Sequence, residues 1–421
     1  MDRTFDSSLT VFISSRFRIA SRICTVCVGF RIIRYLVLTC NKVCIVRIFV
    51  FYPLHATCTL RTIVVKLAIF FQREIFMVDE KLRFASDYME GAHENILQKL
   101  VKTNRVKTSG YGTDEYCESA KQKIRLACGR KDAEVHFLVG GTQTNATVID
   151  ALLKSYQGVI SAESGHINVH EAGAIEFGGH KVFSLAAENG KLTAERIEKC
   201  FHSYWNDVTH DHMVMPGMVY LSQPTEVGTL YSLDELEQIS TLCRRFQAFL
   251  YVDGARLAYA LGCPENEVTL KDLARLTDAF YIGGTKCGAL FGEAVVFPKA
   301  GIAPHFFTVI KQHGALLAKG RLLGIQFDEL FTDDLYRKLG QNANRAADWI
   351  RQTLLQKGYT LTFPSPTNQI FVTLDRESLS KISENVDLDV WQYLDQEHVI
   401  VRIATSWATG EEETKRLIGC L

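Results

Sequence analysis

The sequence predicts an α/β fold: a large domain on a mostly parallel sheet, followed by a smaller α+β unit at the C-terminal end. Three observations predict it. Between residues 114 and 282, short apolar runs alternate with amphipathic stretches of helix length, the pattern of strands buried under crossover helices. Beyond residue 318 that alternation gives way to one long helix and a few short strands. A chain of 421 residues is also long for one core and suits two packed domains.

Taken in order, residues 114–128 read as a helix and 135–139 as a strand, and Gly140-Gly141-Thr142 then opens a helix running to about residue 156. A strand follows at 158–162, a helix at 166–177, a strand at 181–185 and a helix from Thr193. The next strand, 219–222, leads into a helix at 232–246, a strand at 248–252, a helix at 270–276 and a strand at 279–282. Leu335, Leu339, Ala343, Ala346, Ile350 and Leu354 recur at helical spacing, so 333–356 reads as one long helix, which Gly358 stops. A strand at 370–374, a helix at 390–394, a strand at 400–404 and a helix from Glu411 complete the small unit. No linker rich in Pro, Gly or Ser separates the two parts, so they are expected to pack closely.

Lys and Arg number 47 and so do Asp and Glu, so global charge gives no reason to expect nucleic acid or an acidic membrane as partner. The balance hides a seam. Residues 1–76 hold eleven Lys/Arg, three acids and a single glycine, Gly29. A membrane span needs about 20 nearly uncharged residues, and the longest uncharged run here, 48–60, falls short. The segment is Arg-rich and acid-poor like a mitochondrial presequence, yet long and weakly amphipathic. It also reads as translated upstream sequence foreign to the native protein, because Met77 opens "MVDEKLRFASDYMEG" like a natural start. The division expected is therefore an extension, 1–76, an N-terminal arm with the large domain, 77–320, and a small domain, 321–421. Cys24 and Cys27 have CxxC spacing but no second pair, and the seven later cysteines are scattered, so neither a zinc site nor a disulfide framework is indicated. Free cysteines point to a reducing compartment. His210-Asp211-His212 lacks a third ligand at metal-site spacing.

The chemistry gathers at three strand ends. "FYIGGTKCG" carries a lone lysine, Lys286, just past an apolar strand, and "FLYVDGARL" places Asp253 at the end of another. Ligands of open α/β sheets bind at the carboxyl ends of the strands, so both groups belong on one rim. Alone, Asp253 reads as a helix cap; beside Lys286 it reads as a site residue. A lysine that forms a Schiff base and a carboxylate that keeps a pyridine nitrogen protonated are what pyridoxal 5'-phosphate requires. Its phosphate needs backbone donors at a helix N-terminus, which Gly141 and Thr142 supply, with Thr285 within reach.

The phrases "SDY", "GYGTDEY", "GGTQTN", "GHINVHEAGAIE", "VDGARL", "GGTKCG" and "VRIATSW" resemble the threonine aldolase and aromatic amino acid β-eliminating lyase group of fold-type I pyridoxal-phosphate enzymes, the low-specificity threonine aldolase branch above all. The resemblance covers some four-fifths of the chain, from about residue 82 to the end. It implies Lys286 as the Schiff-base lysine, Asp253 at the pyridine nitrogen, and His166 stacked on the cofactor ring, with His166 or a water it orients as base. It implies Arg256 and Arg402 on the substrate carboxylate, assisted by Ser86, with Glu171 and Gln223 behind them. The expected activity is retro-aldol cleavage of threonine-like amino acids to glycine and an aldehyde; the rivals are β-elimination to pyruvate and ammonia, or cofactor binding without catalysis. The expected partners are a small amino acid and further copies of the chain, as a homodimer or homotetramer with shared active sites, with no nucleic acid and no membrane. The expected location is cytoplasmic, or mitochondrial if residues 1–76 are a presequence. Two stretches depart from the aldolase pattern as the resemblance gives it: "SQPTEVG" at 222–228, and "LLAKGRLLGIQF" at 316–327, where Lys319 or Arg321 is the candidate for a phosphate charge from a neighbouring subunit.

Overall fold

The computed structural model describes residues 81–421 and, as a separate unit, the backbone of three antiparallel strands, Ile19–Val28, Arg31–Cys40 and Val43–Ile48. Cys24 and Cys27 fall in the first of these strands, but their side chains, like most of the stretch 1–76 read as presequence or foreign extension, lie outside the described residues.

Seven strands form the large sheet: β1 (Glu134–Leu138), β2 (Gln157–Ala162), β3 (Val182–Leu185), β4 (Met215–Ser222), β5 (Phe249–Asp253), β6 (Ala279–Gly283) and β7 (Glu293–Phe297). Their spatial order is β1-β7-β6-β5-β4-β2-β3, parallel throughout except that β7 runs antiparallel to both neighbours. Helices cover both faces. On one side lie α1 (Glu94–Thr103), α2 (Glu115–Cys128), α4 (Ala194–Trp205), α5 (Leu233–Arg245), α6 (Leu270–Leu276) and α8 (Arg321–Leu330); on the other lie α3 (Gly141–Leu152) and α7 (Phe306–Gln312).

Strand residues alternate between the two cores. Val219, Leu221, Leu250, Val252, Phe280 and Ile282 face one, and Met218, Tyr220, Tyr251, Tyr281 and Val295 the other. Buried on both faces, these strands read as unbroken apolar runs. Caps set the helix ends: Asp114 accepts from the Tyr116 and Cys117 N–H groups to start α2, and Ser232 with Glu235 forms a capping box on α5.

The small sheet comprises β8 (Thr360–Leu361), β9 (Gln369–Asp375), β10 (Asp389–Tyr393) and β11 (His398–Ala404), antiparallel in the order β8-β9-β11-β10. The long helix α9 (Leu335–Gln356) joins the two cores: Tyr336, Leu339 and Ala343 pack under the large sheet, and Ala347, Ile350 and Leu354 under the small one. Helix α10 (Glu411–Cys420) adds Leu417 to the latter core. The N-terminal arm is woven into the same place. Leu82–Arg83 pairs in parallel with Val386–Asp387, Phe84 is buried in the small core, and its carbonyl accepts from Ala404 N–H at 2.8 Å.

Three expectations need correcting. Residues 390–394 are not a helix: Val390 pairs with Val401 in β10–β11 across a bulge, and a five-residue run holding Val390, Trp391 and Tyr393 is too short to show helical periodicity. The helix expected over 166–177 is two single turns, His166–Val169 and Ala174–Phe177, parted by left-handed backbone at Ala172 (φ 51°) and Gly173 (φ 72°). Helix α3 stops at Leu152 because Leu153 turns to extended backbone. Among the described residues no helix is long and apolar enough to cross a membrane.

Candidate active site

The site lies at the carboxyl ends of β4, β5 and β6. Asp253 is the last residue of β5, and Lys286 sits three residues past β6. The Gly254 N–H and carbonyl region is pressed against β6: a Cβ on Gly254 would collide with the Tyr281 carbonyl oxygen and crowd Leu257 Cβ at 3.1 Å. Gly254→Ala is therefore expected to cost about 1–3 kcal/mol, read as a lower midpoint in urea denaturation.

Asp253 is held from three directions. Tyr220 Oη donates to its Oδ2 at 2.6 Å, Asn145 Nδ2 to the same oxygen at 3.1 Å, and the Ala255 N–H to Oδ1 at 2.9 Å. Asn145 also donates to Glu171 Oε1 at 2.7 Å and accepts from Tyr251 Oη at 2.8 Å. Glu171 Oε1 lies 2.7 Å from His166 Nδ1, so one hydrogen-bonded chain links His166, Glu171, Asn145 and Asp253. The His166 N–H donates to Glu226 Oε1 at 3.0 Å, and burial pushes the Glu226 carboxyl up.

The Lys286 amine makes no hydrogen bond or ion pair among the described residues, although the residue's carbonyl accepts from Tyr259 Oη at 2.5 Å; the amine lies 6.0 Å from the Tyr88 ring centre. Burial and the Arg256 charge push its pKa down, against Asp87, Asp253 and Glu293. The turn that carries it is braced from below. Glu293, paired in register with Gly283, accepts from Thr285 Oγ1 at 2.7 Å and from the Gly284 N–H at 3.0 Å. Burial pushes the Glu293 carboxyl up to about 8, although Thr285, the Gly284 N–H and Lys286 oppose the rise. Thr285, expected within reach of the phosphate from its place beside Lys286, spends its hydroxyl proton on Glu293 and accepts from the Gly292 N–H at 3.0 Å.

Arg256 is likewise committed. Its Nε and Nη2 donate to Asp87 Oδ2 and Oδ1 at 2.6 and 2.9 Å, which leaves Nη1 for any ligand. Burial alone would raise the Asp87 carboxyl, but the Arg256 guanidinium holds it at about 2. Asn368 Nδ2 completes the cluster at 2.9 Å. Arg402 comes from β11: Nη1 donates to Gln369 Oε1 at 3.2 Å, Nη2 to the Ala85 carbonyl at 3.1 Å, and Asp389 Oδ2 lies 2.9 Å away. Its Nε and the neighbouring Ser86 Oγ are buried without a partner.

Helix α3 begins at Gly141 with no side-chain cap, and the N–H groups of Gly141, Thr142 and Gln143 find no acceptor among the described residues. Gln223 is tied to the Tyr231 backbone through both ends of its amide, and Arg321 donates to the Thr103 and Val106 carbonyls.

Asn145, Asp87, Tyr220 and Glu293 escaped the sequence reading. Asn145 stands inside "GGTQTN", one turn into a helix where a polar residue would otherwise face a core, and Tyr220 precedes a strand end by two, on the face of that end. Asp87 gives no local signal, because its partners lie 169 and 281 residues away.

An unpaired lysine, an oriented strand-end carboxylate, three open N–H groups and two orphaned polar atoms fit pyridoxal phosphate with an amino acid above it. Fold and site together define a pyridoxal-phosphate-dependent lyase of the aminotransferase-like fold. The chain belongs to the β-eliminating lyase family, whose profile matches residues 83–377. It is 33% identical over 312 residues to the low specificity L-threonine aldolase of Pseudomonas aeruginosa, covering 73% of this chain and 88% of that one. Identity to the same enzyme of a Pseudomonas species is 31% over 347 residues, 81% of this chain and 97% of the other. A threonine aldolase structure from Leishmania major superposes with a TM-score of 0.78 at 42% identity, over 80% of this chain and 97% of that one. Aspartate aminotransferase of Thermus thermophilus, at 14% identity and a TM-score of 0.60, shares the fold.

Proposed function

We propose that this protein cleaves β-hydroxy-α-amino acids, threonine and allo-threonine among them, to glycine and an aldehyde. The observation that carries this is its match to low specificity threonine aldolases along nearly their whole length. When bound, pyridoxal phosphate supplies the electron sink that lets a bond to Cα break. Lys286 would hold its aldehyde, Asp253 its pyridine nitrogen, the α3 entrance at Gly141 and Thr142 its phosphate, and His166 would cover its ring.

Each residue has a task that its surroundings support. The lowered pKa of Lys286 frees its amine of a proton at lower pH than an ordinary lysine, as a nucleophile requires. Tyr220, Asn145 and the Ala255 N–H aim Asp253, and Glu171 fixes the proton of His166 on Nδ1, leaving Nε2 as acceptor. Arg402 Nε and Ser86 Oγ, both unpartnered, would receive the α-carboxylate, with Arg256 Nη1 beside them. As the Cα–Cβ bond parts, the β-hydroxyl proton leaves to an imidazole and Cα regains a proton from the site. We place the enzyme as a homodimer or homotetramer in the cytoplasm, or in mitochondria if residues 1–76 act as a presequence.

The purified protein, supplied with cofactor and L-threonine or L-allo-threonine, is expected to release glycine and acetaldehyde in equal amounts. Pyruvate and ammonia without glycine would instead make it a β-eliminating lyase.

A further inference from the structure

Glu293 opens β7 and is buried, at 3% exposure. The residues that follow it, 294–297, are apolar and fully buried, and among the described residues no cation lies within ion-pair distance of its carboxyl. A carboxyl in such a place costs stability unless hydrogen bonds offset it. Both oxygens of this one are spent on a single turn: Oε2 accepts from the Gly284 N–H at 3.0 Å and Oε1 from the Thr285 hydroxyl at 2.7 Å. The same two residues also reach the backbone just before Glu293. The N–H groups of Gly284 and Thr285 donate to the Gly292 carbonyl at 2.9 and 3.2 Å, and the Gly292 N–H donates to the Thr285 hydroxyl at 3.0 Å. A Cβ on Gly284 would lie 2.7 Å from that carbonyl oxygen, so the close approach requires glycine. Two phenols hold the ends of the turn: Tyr336 Oη donates to the Gly283 carbonyl at 2.8 Å and Tyr259 Oη to the Lys286 carbonyl at 2.5 Å. Every residue from 283 to 286 is thus tied down through its backbone or hydroxyl, and only the Lys286 amine is left unbonded.

We propose that Glu293 is the positioning residue for Lys286: by gripping Gly284 and Thr285 together, it fixes the line along which the amine meets the aldehyde of pyridoxal phosphate. The proposal rests on the reading of Lys286 as the cofactor lysine and is indifferent to which bond of the amino acid breaks. Capture is a condensation. The amine nitrogen adds to the aldehyde carbon, a C=N bond replaces C=O, and the aldehyde oxygen leaves as water with both amine hydrogens. No oxidant or reductant enters. The rate depends on how often the nitrogen lies on the line of attack, and a misplacement of about 1 Å costs on the order of 100-fold. Lysine's long stem already brings flexibility of its own, so the backbone beneath it must add none. A carboxyl suits this task because its two oxygens accept from neighbouring residues at once; an amide offers one acceptor oxygen, and an apolar side chain none. Glu293 acts only through Gly284 and Thr285, since it makes no hydrogen bond to the amine.

The test takes full-length wild type, Glu293→Gln, Thr285→Val and the double variant, strips each of cofactor and mixes it with excess pyridoxal phosphate. In both single variants the absorbance of lysine-bound cofactor is expected to grow about 10- to 100-fold more slowly, and the visible circular dichroism of the bound cofactor to weaken. With L-threonine, kcat is expected to fall while KM stays unchanged, because neither residue meets the substrate. The double variant is expected to be no slower than Glu293→Gln alone, since the two residues hold one hydrogen-bond network. Capture at the wild-type rate in Glu293→Gln would overturn the proposal. So would a lower urea midpoint with capture rate and dichroism intact, which marks a purely structural carboxyl. Losses that add in the double variant would give Thr285 a separate contact with the cofactor and overturn the shared grip. If Glu293→Gln does not fold, the capture rate and dichroism of Thr285→Val decide in the same way. Absence of lysine-bound absorbance in the wild type would overturn the reading of Lys286 and this proposal with it; normal absorbance with insensitive variants would overturn the Glu293 assignment alone.

Discussion

Lys286→Ala protein, incubated with pyridoxal phosphate and passed through a desalting column, is expected to show no absorbance of lysine-bound cofactor and to cleave L-threonine at least about a thousandfold more slowly, roughly 4 kcal/mol of barrier. A half-buried lysine normally finds an acid, and this one has none within ion-pair distance among the described residues, while desolvation and Arg256 depress its pKa. Its amine is thus reserved for an electrophile. Because the side chain makes no hydrogen bond, alanine removes the chemistry without leaving a partner stranded, and thermal unfolding should stay near wild type. Borohydride reduction of wild-type holoenzyme followed by peptide mass spectrometry should find the cofactor on the peptide containing Lys286. Cofactor fixed on any other lysine, or an unchanged spectrum in the variant, would show that the wrong lysine was chosen.

Arg256→Leu is expected to lower stability by about 3–5 kcal/mol, because it strands Asp87 as an uncompensated buried charge. The carboxylate is fully buried and loses both arms of a bidentate ion pair, keeping only Asn368. The measurement is the urea midpoint at neutral pH. The double variant Asp87→Leu/Arg256→Leu should regain much of the loss, since removing both charges also removes the desolvation cost. A single variant as stable as wild type would mean that Asp87 is not buried against Arg256. A double variant no better than the single would place the cost in packing around Arg256 and not in charge.

Strand-and-helix alternation was legible because each buried strand is a short apolar run, and the site's rim was legible because Lys286 and Asp253 mark strand ends. What hid was whatever depends on pairing across the chain. Glu293 is the first acid after Lys286 in sequence, yet its meaning emerges only when β6 and β7 place it beside Gly283. The residues 390–394 were misread for the same reason: β10 exists by virtue of β11, and nothing within five residues announces a partner. The roles of Thr285 and Arg256 shifted because sequence position and a family pattern supply residue types, whereas hydrogen-bond partners such as Glu293 and Asp87 decide which of their donors stay free.

Asp87 has one more consequence, for the order in which the protein comes into being. Its arm leaves the ribosome early, but the strand partner of Leu82 is Val386, the carbonyl of Phe84 waits for Ala404, and Asp87 waits for Arg256 and Asn368. Contacts of such long sequence separation form late and slowly. The large sheet can gather while the chain is still being made, but the arm has no place to go until β11 has emerged. A nascent chain cut before residue 404 should therefore carry its lysine and its strand-end aspartate and still lack a finished pocket, so the enzyme gains its chemistry only once β11 has been made.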